Sequence, residues 1–238
     1  MRKQIVRTVK NMFLFFGYRI ERFFPEKDIF LPSHLKLDIF FDVGASVGNY
    51  VEQIRKQGYS GKVVSFEPTS GAYLMLVERS SRDSNWSVYD KCALGNTNGT
   101  VNINVSLNSF SSSILPILEL HLKAAPDSKY VNQETVPILR LSDVWESQFS
   151  KFNKIGIKLD VQGFELDVLK GAIEIIDLIE FIQIEMSLVE VYSGQSLYTD
   201  VDLFLRSHGF RLWKILPGFT DPQTGQLIQF DGIYIRKF

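Results

Sequence analysis

The sequence predicts a single α/β domain wound around a mostly parallel sheet of about seven strands, with one antiparallel strand near the C-terminus. Short apolar runs alternate with segments of helical periodicity along most of the chain. One run ends near Asp42 and is followed by a glycine-bearing turn, a helix and a second run ending at Glu67, which is the order of a βαβ unit. The length of 238 residues and the hydrophobic fraction of 45% suit one domain with a sizeable core.

The first elements are bounded by residues that end helices and strands. Gly58 stands where glycine commonly ends a helix, and Pro68 stops a strand because proline lacks a backbone N–H. The apolar runs predict strands over Ile39–Val43, Lys62–Glu67 and Trp86–Leu94. Helical periodicity between the runs predicts helices over Val47–Gln57 and Ala72–Arg82.

The pattern changes at Gly99. Residues 100–105 alternate strictly between polar and apolar, as a half-exposed strand does. A serine cluster over residues 109–113 and a looser stretch follow. We therefore predict that the main domain, residues 31–238, carries an insertion of antiparallel strands and loops at about residues 99–138.

After the insertion the strand–helix alternation resumes. Gly209 is expected to end the last helix, and the turn-rich residues 217–225 separate two final strands, so the last strand should run antiparallel. The predicted strands are Ile155–Asp160, Ile179–Glu185, Phe210–Leu216 and Phe230–Arg236, and the predicted helices are Glu165–Ala172 and Thr199–Ser207.

Residues 1–30 are predicted to form an amphipathic helical segment. Basic residues precede a short apolar run over residues 12–16, which is shorter than the roughly 7 residues of a signal-peptide core and the roughly 20 that span a bilayer. Two interpretations remain open. Residues 1–22 contact an anionic membrane surface as a basic amphipathic helix, or the helix docks on the edge of the domain, which we prefer.

The overall composition limits the binding partners and the cellular compartment that we expect. The net charge is −1, so there is no global electrostatic case for a nucleic-acid partner. The single cysteine, Cys92, excludes an intramolecular disulfide and fits a reducing compartment, so we expect a cytoplasmic protein. The oligomeric state is not predicted by these features.

The turn after the first strand points to an adenosine-containing cofactor. Asp42, Gly44 and Gly48 form a D-x-G-x-x-x-G pattern, whereas a dinucleotide site requires G-x-G-x-x-G for its pyrophosphate. An acid at the strand end repels a pyrophosphate but accepts hydrogen bonds from an ammonium group. The pattern therefore favours S-adenosylmethionine over NAD, with Glu67 placed to accept the ribose hydroxyls.

Carboxylates follow four of the predicted parallel strands. Ligands bind at the carboxyl ends of strands in open α/β sheets, so Asp42, Glu67, Asp160 and Glu185 are candidate site residues. A run from Lys158 to Ala172 places a tight turn and an acidic first helical turn directly after Asp160. Capping of the following helix explains the turn and its glycine, Gly163, without any catalytic role. It does not explain why Asp160 stands at the edge of the sheet where ligands bind.

With these residues in view, the chain resembles the FkbM family of S-adenosylmethionine-dependent methyltransferases, which have a Rossmann-like class I fold. The matching segments are Phe41–Tyr50, Phe66–Pro68, Ala93–Gly95, Ser111–Ser113, Lys158–Ala172 and Asp231. Two positions differ from the common pattern, Ser46 where asparagine is frequent and Gln162 where glutamate is also common. The resemblance implies O-methylation of a hydroxyl on a sugar, a glycan or a secondary metabolite.

The expected site follows from the motifs and the resemblance together. Asp160 is the candidate catalytic residue, acting as a base or as one ligand of a divalent metal ion with Glu185. His121 and His208 are the other candidate bases, and His208 is more simply structural at a helix end. The expected cofactor contacts are Asp42, Gly44, Gly48, Asn49, Glu67, Cys92 and Ala93, and the expected acceptor contacts are Ser111, Ser112 and Glu185.

Two alternatives remain open from the sequence. The βαβ unit alone is compatible with an NAD-linked oxidoreductase, although a third glycine is lacking. A methyltransferase-like domain can also serve as a scaffold for glycan assembly without catalysis. The retention of both Glu67 and Asp160 argues against the scaffold, because a scaffold has no need of them.

Overall fold

The computed structural model describes residues 9, 10, 12, 13, 15 and 31–236, and the chain divides into two compact units, Met1–Phe30 and Leu31–Phe238. The five described residues of the first unit are helical. The rest of the predicted amphipathic segment, with its expected membrane contact over residues 1–22, lies outside the described residues. Over the part that is described, no helix is long and apolar enough to cross a bilayer.

The second unit alternates strands and helices for most of its length. The strands are β1 (Ile39–Val43), β2 (Val63–Phe66), β3 (Trp86–Val88), β4 (Ala93–Leu94), β5 (Gly99–Ser106), β6 (Tyr130–Leu139), β7 (Ile155–Leu159), β8 (Ile179–Ser187), β9 (Phe210–Pro217) and β10 (Gln229–Arg236). The helices are α1 (Leu31–Leu35), α2 (Asn49–Lys56), α3 (Ser70–Ser80), α4 (Glu119–Ala124), α5 (Leu141–Val144), α6 (Glu165–Gly171) and α7 (Tyr198–Ser207). A π-helical turn, Trp145–Phe149, extends α5, and 3₁₀ turns occupy Pro126–Ser128 and Ile173–Leu178.

Seven of the strands form one sheet in the order β3-β2-β1-β7-β8-β10-β9. The first five are parallel to their neighbours, whereas β10 is antiparallel to both β8 and β9. Every residue of β1 and of β7 is buried, as expected for central strands covered by helices on both faces. The predicted fold, with seven strands and one reversed strand near the C-terminus, is confirmed.

The strand order reverses between β1 and β7. The chain moves outward from β1 to β3 and later returns to place β7 on the other side of β1. Asp42 is level with Lys158 across this pair, and the amide of Asp160 donates to the carbonyl of Val43 at 3.1 Å. The two loops that leave β1 and β7 therefore diverge at a topological switch point, where open α/β sheets bind ligands.

A second sheet of three strands, in the order β4-β6-β5, lies outside the main one. It is built from the antiparallel pair Gly99–Ser106 and Tyr130–Leu139, with Ala93–Leu94 added in parallel to the latter. The prediction of one continuous strand over Trp86–Leu94 is wrong. The chain leaves the main sheet after Val88, and the ammonium of Lys91 donates to the Ser70 hydroxyl at 2.6 Å and to Glu134 at 3.3 Å.

Candidate functional site

Two adjoining cavities open at the carboxyl ends of β1 and β7. The first is flanked by Phe66, Glu67, Cys92 and Ala93, from the ends of β2 and β4. The second is bounded by the loops around α4 and by β8 and β10. Residues that line both cavities are Gly44, Ser46, Phe110, Asp160 and Gln162.

Glu67 is held rigidly at the rim of the first cavity. Its side chain is 6% exposed, and one oxygen accepts from the Ser46 amide at 2.8 Å. The other oxygen accepts from the amide of Thr69 at 2.9 Å and from its hydroxyl at 2.5 Å. Burial raises the pKa of Glu67, and these hydrogen bonds oppose the shift by stabilising the carboxylate. The second strand thus ends in an oriented hydrogen-bond acceptor facing the cavity.

Asp42 lies beneath the turn, outside both cavity linings. It is 1% exposed, and its Oδ2 accepts a 3.0 Å hydrogen bond from the Ser65 hydroxyl, which in turn accepts from the indole N–H of Trp86 at 2.9 Å. Burial raises the pKa of Asp42 to about 6, and the ammonium of Lys158 opposes the shift. Asp42 is therefore a buried side chain of the sheet that is hydrogen bonded to Ser65 and interacts electrostatically with Lys158.

The glycines of the first motif have different roles. Gly44 has a φ of +75°, and a Cβ there would lie 1.9 Å from the carbonyl oxygen of Asp160, so only glycine allows the loops after β1 and β7 to approach. A Cβ on Gly48 would instead meet the Trp86 ring at 2.5 Å. Asn49 accepts from Arg79 at 2.8 Å on the surface. Neither Gly48 nor Asn49 lines a cavity among the described residues.

Asp160 is clamped at the junction of the two cavities. Its Oδ2 accepts from the ammonium of Lys158 at 2.9 Å, and its Oδ1 accepts from the amide of Gln162 at 2.8 Å. Lys158 is 6% exposed, and the neighbouring carboxylates Asp160, Asp231 and Glu185 raise its pKa despite burial. A buried cation is thus hydrogen bonded to a carboxylate that lines both cavities.

The turn after β7 is tied down by Glu165. Its carboxylate accepts from the amides of Val161 at 2.9 Å and Gly163 at 3.1 Å, as a capping residue does. Burial raises the pKa of Glu165 to about 7. Gln162 has a φ of +56°, a left-handed conformation that a non-glycine residue rarely adopts. The turn therefore fixes the backbone conformation from which the Gln162 side chain extends.

Glu185 belongs to the second cavity and connects three elements. One of its oxygens accepts from Gln162 at 2.8 Å and from Gln229 of β10 at 2.9 Å. Burial beside Asp160 raises the pKa of Glu185 well above its ordinary value. The hydroxyl of Tyr192 donates to the carbonyl oxygen of Gln162 at 2.6 Å, which orients the amide so that its NH₂ faces both carboxylates.

The serine cluster packs directly on the turn after Asp160. Ser112 lines the first cavity, and Ser111 lines the second and shares a 2.9 Å hydrogen bond with the hydroxyl of Ser128. The Ser113 hydroxyl donates to the backbone carbonyl of Gln162 at 2.7 Å. The insertion thus forms the outer wall of both cavities.

The two histidines lie in different places. His121, in α4, lines the second cavity and is 4% exposed. Its Nδ1 is buried without a hydrogen-bond partner, and burial lowers its pKa to about 4. His208 lies at the end of α7, where its Nδ1 is 2.8 Å from the carbonyl oxygen of Phe204. Only His121 has a position from which it could contact a ligand in these cavities.

Several lining residues were not anticipated from the sequence. Asn108, Ser128, Phe219 and Gln229 line the second cavity, and Thr69 lines the first. Thr69 had a local signal, because it directly precedes a helix and follows Glu67-Pro68. The others come from loops or from the start of the last strand, where no periodicity marks them.

The residues that line the first cavity fit S-adenosylmethionine better than a metal ion. The first cavity combines the fixed carboxylate of Glu67, apolar walls and, among its described lining residues, no lysine or arginine for a pyrophosphate. In the described part of the chain, no three or more histidine, cysteine, aspartate or glutamate side chains are grouped as a metal site requires.

Solved structures similar to this chain are methyltransferases of low sequence identity. One from Aquifex aeolicus, dependent on S-adenosylmethionine, is 14% identical, with 90% of each chain covered and a TM-score of 0.43. The 1,6-didemethyltoxoflavin-N1-methyltransferase of Burkholderia thailandensis, with S-adenosylhomocysteine bound, is 12% identical, covering 87% of this chain and 75% of that chain with a TM-score of 0.43. Precorrin-6y C5,15-methyltransferase from Geobacter metallireducens is 9% identical, covering 86% and 84% with a TM-score of 0.42.

Sequence comparison identifies the family. No curated protein matches the chain. The family description of the methyltransferase FkbM domain matches residues 42–212, from the first cofactor motif to the ninth strand. This match decides between the two cofactors considered above in favour of S-adenosylmethionine. Since it extends over more than half of the 238 residues, the chain belongs to the FkbM family of S-adenosylmethionine-dependent methyltransferases.

Proposed function

We propose that this methyltransferase methylates a hydroxyl group on a sugar, a glycan or a secondary metabolite, and that Asp160 is its catalytic base. The observation that carries the proposal is the position of Asp160, which lines both cavities and is held between Lys158 and Gln162. A base at this junction can contact an acceptor hydroxyl at the boundary of the two cavities, where the hydroxyl oxygen can face the cofactor's methyl group directly, opposite the sulfur. That is the geometry that in-line methyl transfer requires.

The cofactor is proposed to lie in the first cavity. Glu67 accepts the ribose hydroxyls, and the adenine packs beside Cys92 and Ala93. The amino-acid end meets the backbone at Gly44, which directly follows β1, while the Asp42 side chain is buried against Ser65 of β2. Gly48 and Asn49 support the same segment through packing and surface hydrogen bonding.

When bound, S-adenosylmethionine supplies a methyl group on a positively charged sulfur. Asp160 would orient the acceptor hydroxyl and take its proton as the methyl group is transferred from sulfur to that oxygen. The ammonium of Lys158 holds Asp160 in place through its 2.9 Å contact with Oδ2. Ser111 and Glu185, which line the second cavity, hold the acceptor, whereas Ser112 lines the first cavity on the cofactor side.

We propose a small-molecule or glycan acceptor over a nucleic acid, with the protein working in the cytoplasm. The second cavity has acidic residues and, in the described part of its lining, no lysine or arginine to neutralise phosphates. A peripheral membrane contact through residues 1–22 is proposed from their basic and apolar sequence alone.

Transfer of a labelled methyl group tests the proposed reaction. The purified chain is incubated with methyl-¹³C S-adenosylmethionine and a small-molecule and glycan extract, and O-methyl products are sought by NMR and mass spectrometry. Asp160→Asn keeps the side-chain shape, so it should bind cofactor normally but turn over about 10²–10⁴-fold more slowly. Normal turnover in Asp160→Asn would remove its catalytic role, and cofactor binding without any product would favour the scaffold. Label on nitrogen or on RNA would refute the proposed acceptor.

A further inference from the structure

Gln162 is held in a backbone conformation that its residue type rarely adopts. Its φ is +56°, in the left-handed region that favours glycine. A glycine at this position would remove that strain, so the conformation of the turn gives no reason for a long polar side chain. Strained non-glycine residues occur most often at functional sites. The side-chain amide of Gln162 is therefore the group whose role requires an explanation.

The amide of Gln162 is hydrogen bonded through both of its polar atoms. Nε2 donates to Asp160 Oδ1 and to Glu185 Oε2, each at 2.8 Å. Oε1 accepts from the Tyr192 hydroxyl at 2.6 Å. A rotation of the amide by half a turn would place its oxygen against both carboxyl groups and its NH₂ against the hydroxyl. The Tyr192 hydroxyl therefore favours the one orientation in which the two N–H groups meet the two carboxyl groups.

These contacts hold the Asp160 carboxyl group by both of its oxygens. Lys158 donates to Oδ2 at 2.9 Å, and Gln162 donates to Oδ1 at 2.8 Å. The Asp160 side chain is 36% exposed, so packing alone does not fix its direction. A group that takes a proton from an acceptor must point at that acceptor, because small displacements of reacting groups lower the rate strongly. Gln162 thus supplies one of the two restraints on the direction of Asp160.

The insertion at residues 99–138 holds Gln162 through its backbone and through its side chain. The Ser113 hydroxyl donates to the backbone carbonyl of Gln162 at 2.7 Å. Tyr192 is fully buried, forms an isolated β-bridge with Ile117 of the insertion, and packs on the ring of His121 with the centroids 5.2 Å apart. Neither Ser113 nor Tyr192 is among the described lining residues of the two cavities. Both therefore act on the site through Gln162.

We propose that Gln162 and Tyr192 are positioning residues for methyl transfer. The Tyr192 hydroxyl orients the Gln162 amide, and that amide fixes the direction of Asp160 at the junction of the two cavities. This inference rests on the proposed function, in which Asp160 takes the proton of the acceptor hydroxyl. It adds that the insertion, which forms the outer wall of both cavities, also sets the direction of the catalytic carboxylate. The alternative is that these hydrogen bonds only stabilise the fold.

Four variants of the full chain separate positioning from folding. Gln162→Met keeps the length of the side chain without its amide, and Tyr192→Phe keeps the ring without its hydroxyl. Tyr234→Phe is the matched control. Tyr234 is also fully buried and also donates a short hydrogen bond, to Asp202 at 2.8 Å, but it is outside the described linings of both cavities. Asp160→Asn is the reference for loss of the base.

Turnover is measured as transfer of label from methyl-¹³C S-adenosylmethionine to the small-molecule and glycan extract. We expect it to fall about 10- to 100-fold in Gln162→Met and about fivefold in Tyr192→Phe, and to stay normal in Tyr234→Phe. Tyr192→Phe should keep its KM for S-adenosylmethionine and its affinity for S-adenosylhomocysteine, which also shows that the variant is folded. Added to Asp160→Asn, Tyr192→Phe should cause no further loss, because the group that it positions is already absent.

The side-chain NH₂ of Gln162 provides a second measurement that requires no acceptor. Its two proton signals are identified by NMR as the pair that is missing from Gln162→Met. In Tyr192→Phe they should shift and exchange faster with water, whereas in Tyr234→Phe they should match those of the parent.

The outcomes distinguish this inference from the proposed function. Slow turnover in Asp160→Asn with normal turnover in Tyr192→Phe, or NH₂ signals that do not change in Tyr192→Phe, would overturn this inference and leave the proposed function in place. A further loss when Tyr192→Phe is added to Asp160→Asn, or an equal loss in Tyr234→Phe, would show that the hydroxyl is only structural. Normal turnover in Asp160→Asn would overturn both.

Discussion

Replacing Lys158 with methionine tests the electrostatics beneath Asp160. Methionine keeps most of the apolar stem but removes a charge that is 2.9 Å from Asp160 Oδ2 in a side chain only 7% exposed. Asp42, Glu185 and Asp231 also interact electrostatically with this ammonium. The variant therefore leaves four carboxyl groups near one another without their common cation.

The expected loss of stability follows from this geometry. Removing one partner of a buried ion pair costs roughly 3–5 kcal/mol. The Asp160 side chain is 36% exposed, so solvent screens the pair, and we expect the lower end, about 3 kcal/mol. In a chain of this size 1 kcal/mol shifts Tm by roughly 2–4 °C, so Tm should fall by about 6–12 °C. Thermal and urea unfolding followed by circular dichroism measure both quantities.

The dependence on pH separates lost charge from lost packing. The pKa of Lys158 is raised in the folded protein, so its contribution is complete below the unfolded lysine pKa and does not change from pH 5 to 8. In Lys158→Met, Asp42 and Glu185 lose the ammonium that opposes the rise in their pKa values, so the folded state retains protons that the unfolded state has released. The variant's stability should therefore fall from about pH 5 to pH 8, relative to the parent. Adding Asp160→Asn should restore part of it. A Tm change under about 2 °C, or a loss with no pH dependence, would refute the reasoning.

Three further predictions concern the cofactor side. Glu67→Ala should weaken S-adenosylmethionine binding by roughly 1–3 kcal/mol, about 5- to 150-fold by calorimetry, and unchanged affinity would place the ribose elsewhere. The pKa of Asp42 is raised from 3.8 to about 6, so its ionisation costs about 3 kcal/mol, and stability should decrease from about pH 4 to pH 6 in the parent. Asp42→Asn should lack that part of the decrease, and identical pH–stability curves would show that Asp42 is not perturbed. Gly44→Ala should lower Tm and abolish cofactor binding, because its Cβ would overlap the Asp160 carbonyl at 1.9 Å. Gly58→Ala, with a φ of +91° and no atom within 4 Å, is the matched control, expected to cost only about 1–2 kcal/mol.

Local sequence patterns were sufficient for most elements of the main sheet. Ile39–Val43 and Ile155–Leu159 are continuous apolar runs because both faces of each strand are covered, and such runs are visible in sequence. Glycine and proline then mark the ends of the neighbouring elements to within one or two residues. Short elements were missed, such as α4 over Glu119–Ala124, because fewer than two helical turns give little periodicity.

The region around Trp86–Leu94 shows where local pattern fails. Its residues favour strand throughout, yet Trp86–Val88 pairs with β2 and Ala93–Leu94 pairs with β6 in another sheet. Which partner a strand takes depends on hydrogen bonds and ion pairs with distant residues. Lys91 and Glu134, which lie 43 positions apart, are one such pair.

The sequence by itself determined the α/β class, the family and the carboxylates Glu67 and Asp160 at strand ends, because each of these is expressed in short contiguous motifs. Only the tertiary structure decided that Asp42 lies beneath the turn, outside the cavity linings, and that Gln162, Glu185 and Gln229 share one hydrogen-bond network. The physical reason is the order of the strands. The switch point beside β1 and the reversed β10 bring together residues that are far apart in the chain. A local sequence pattern does not predict which strands become neighbours.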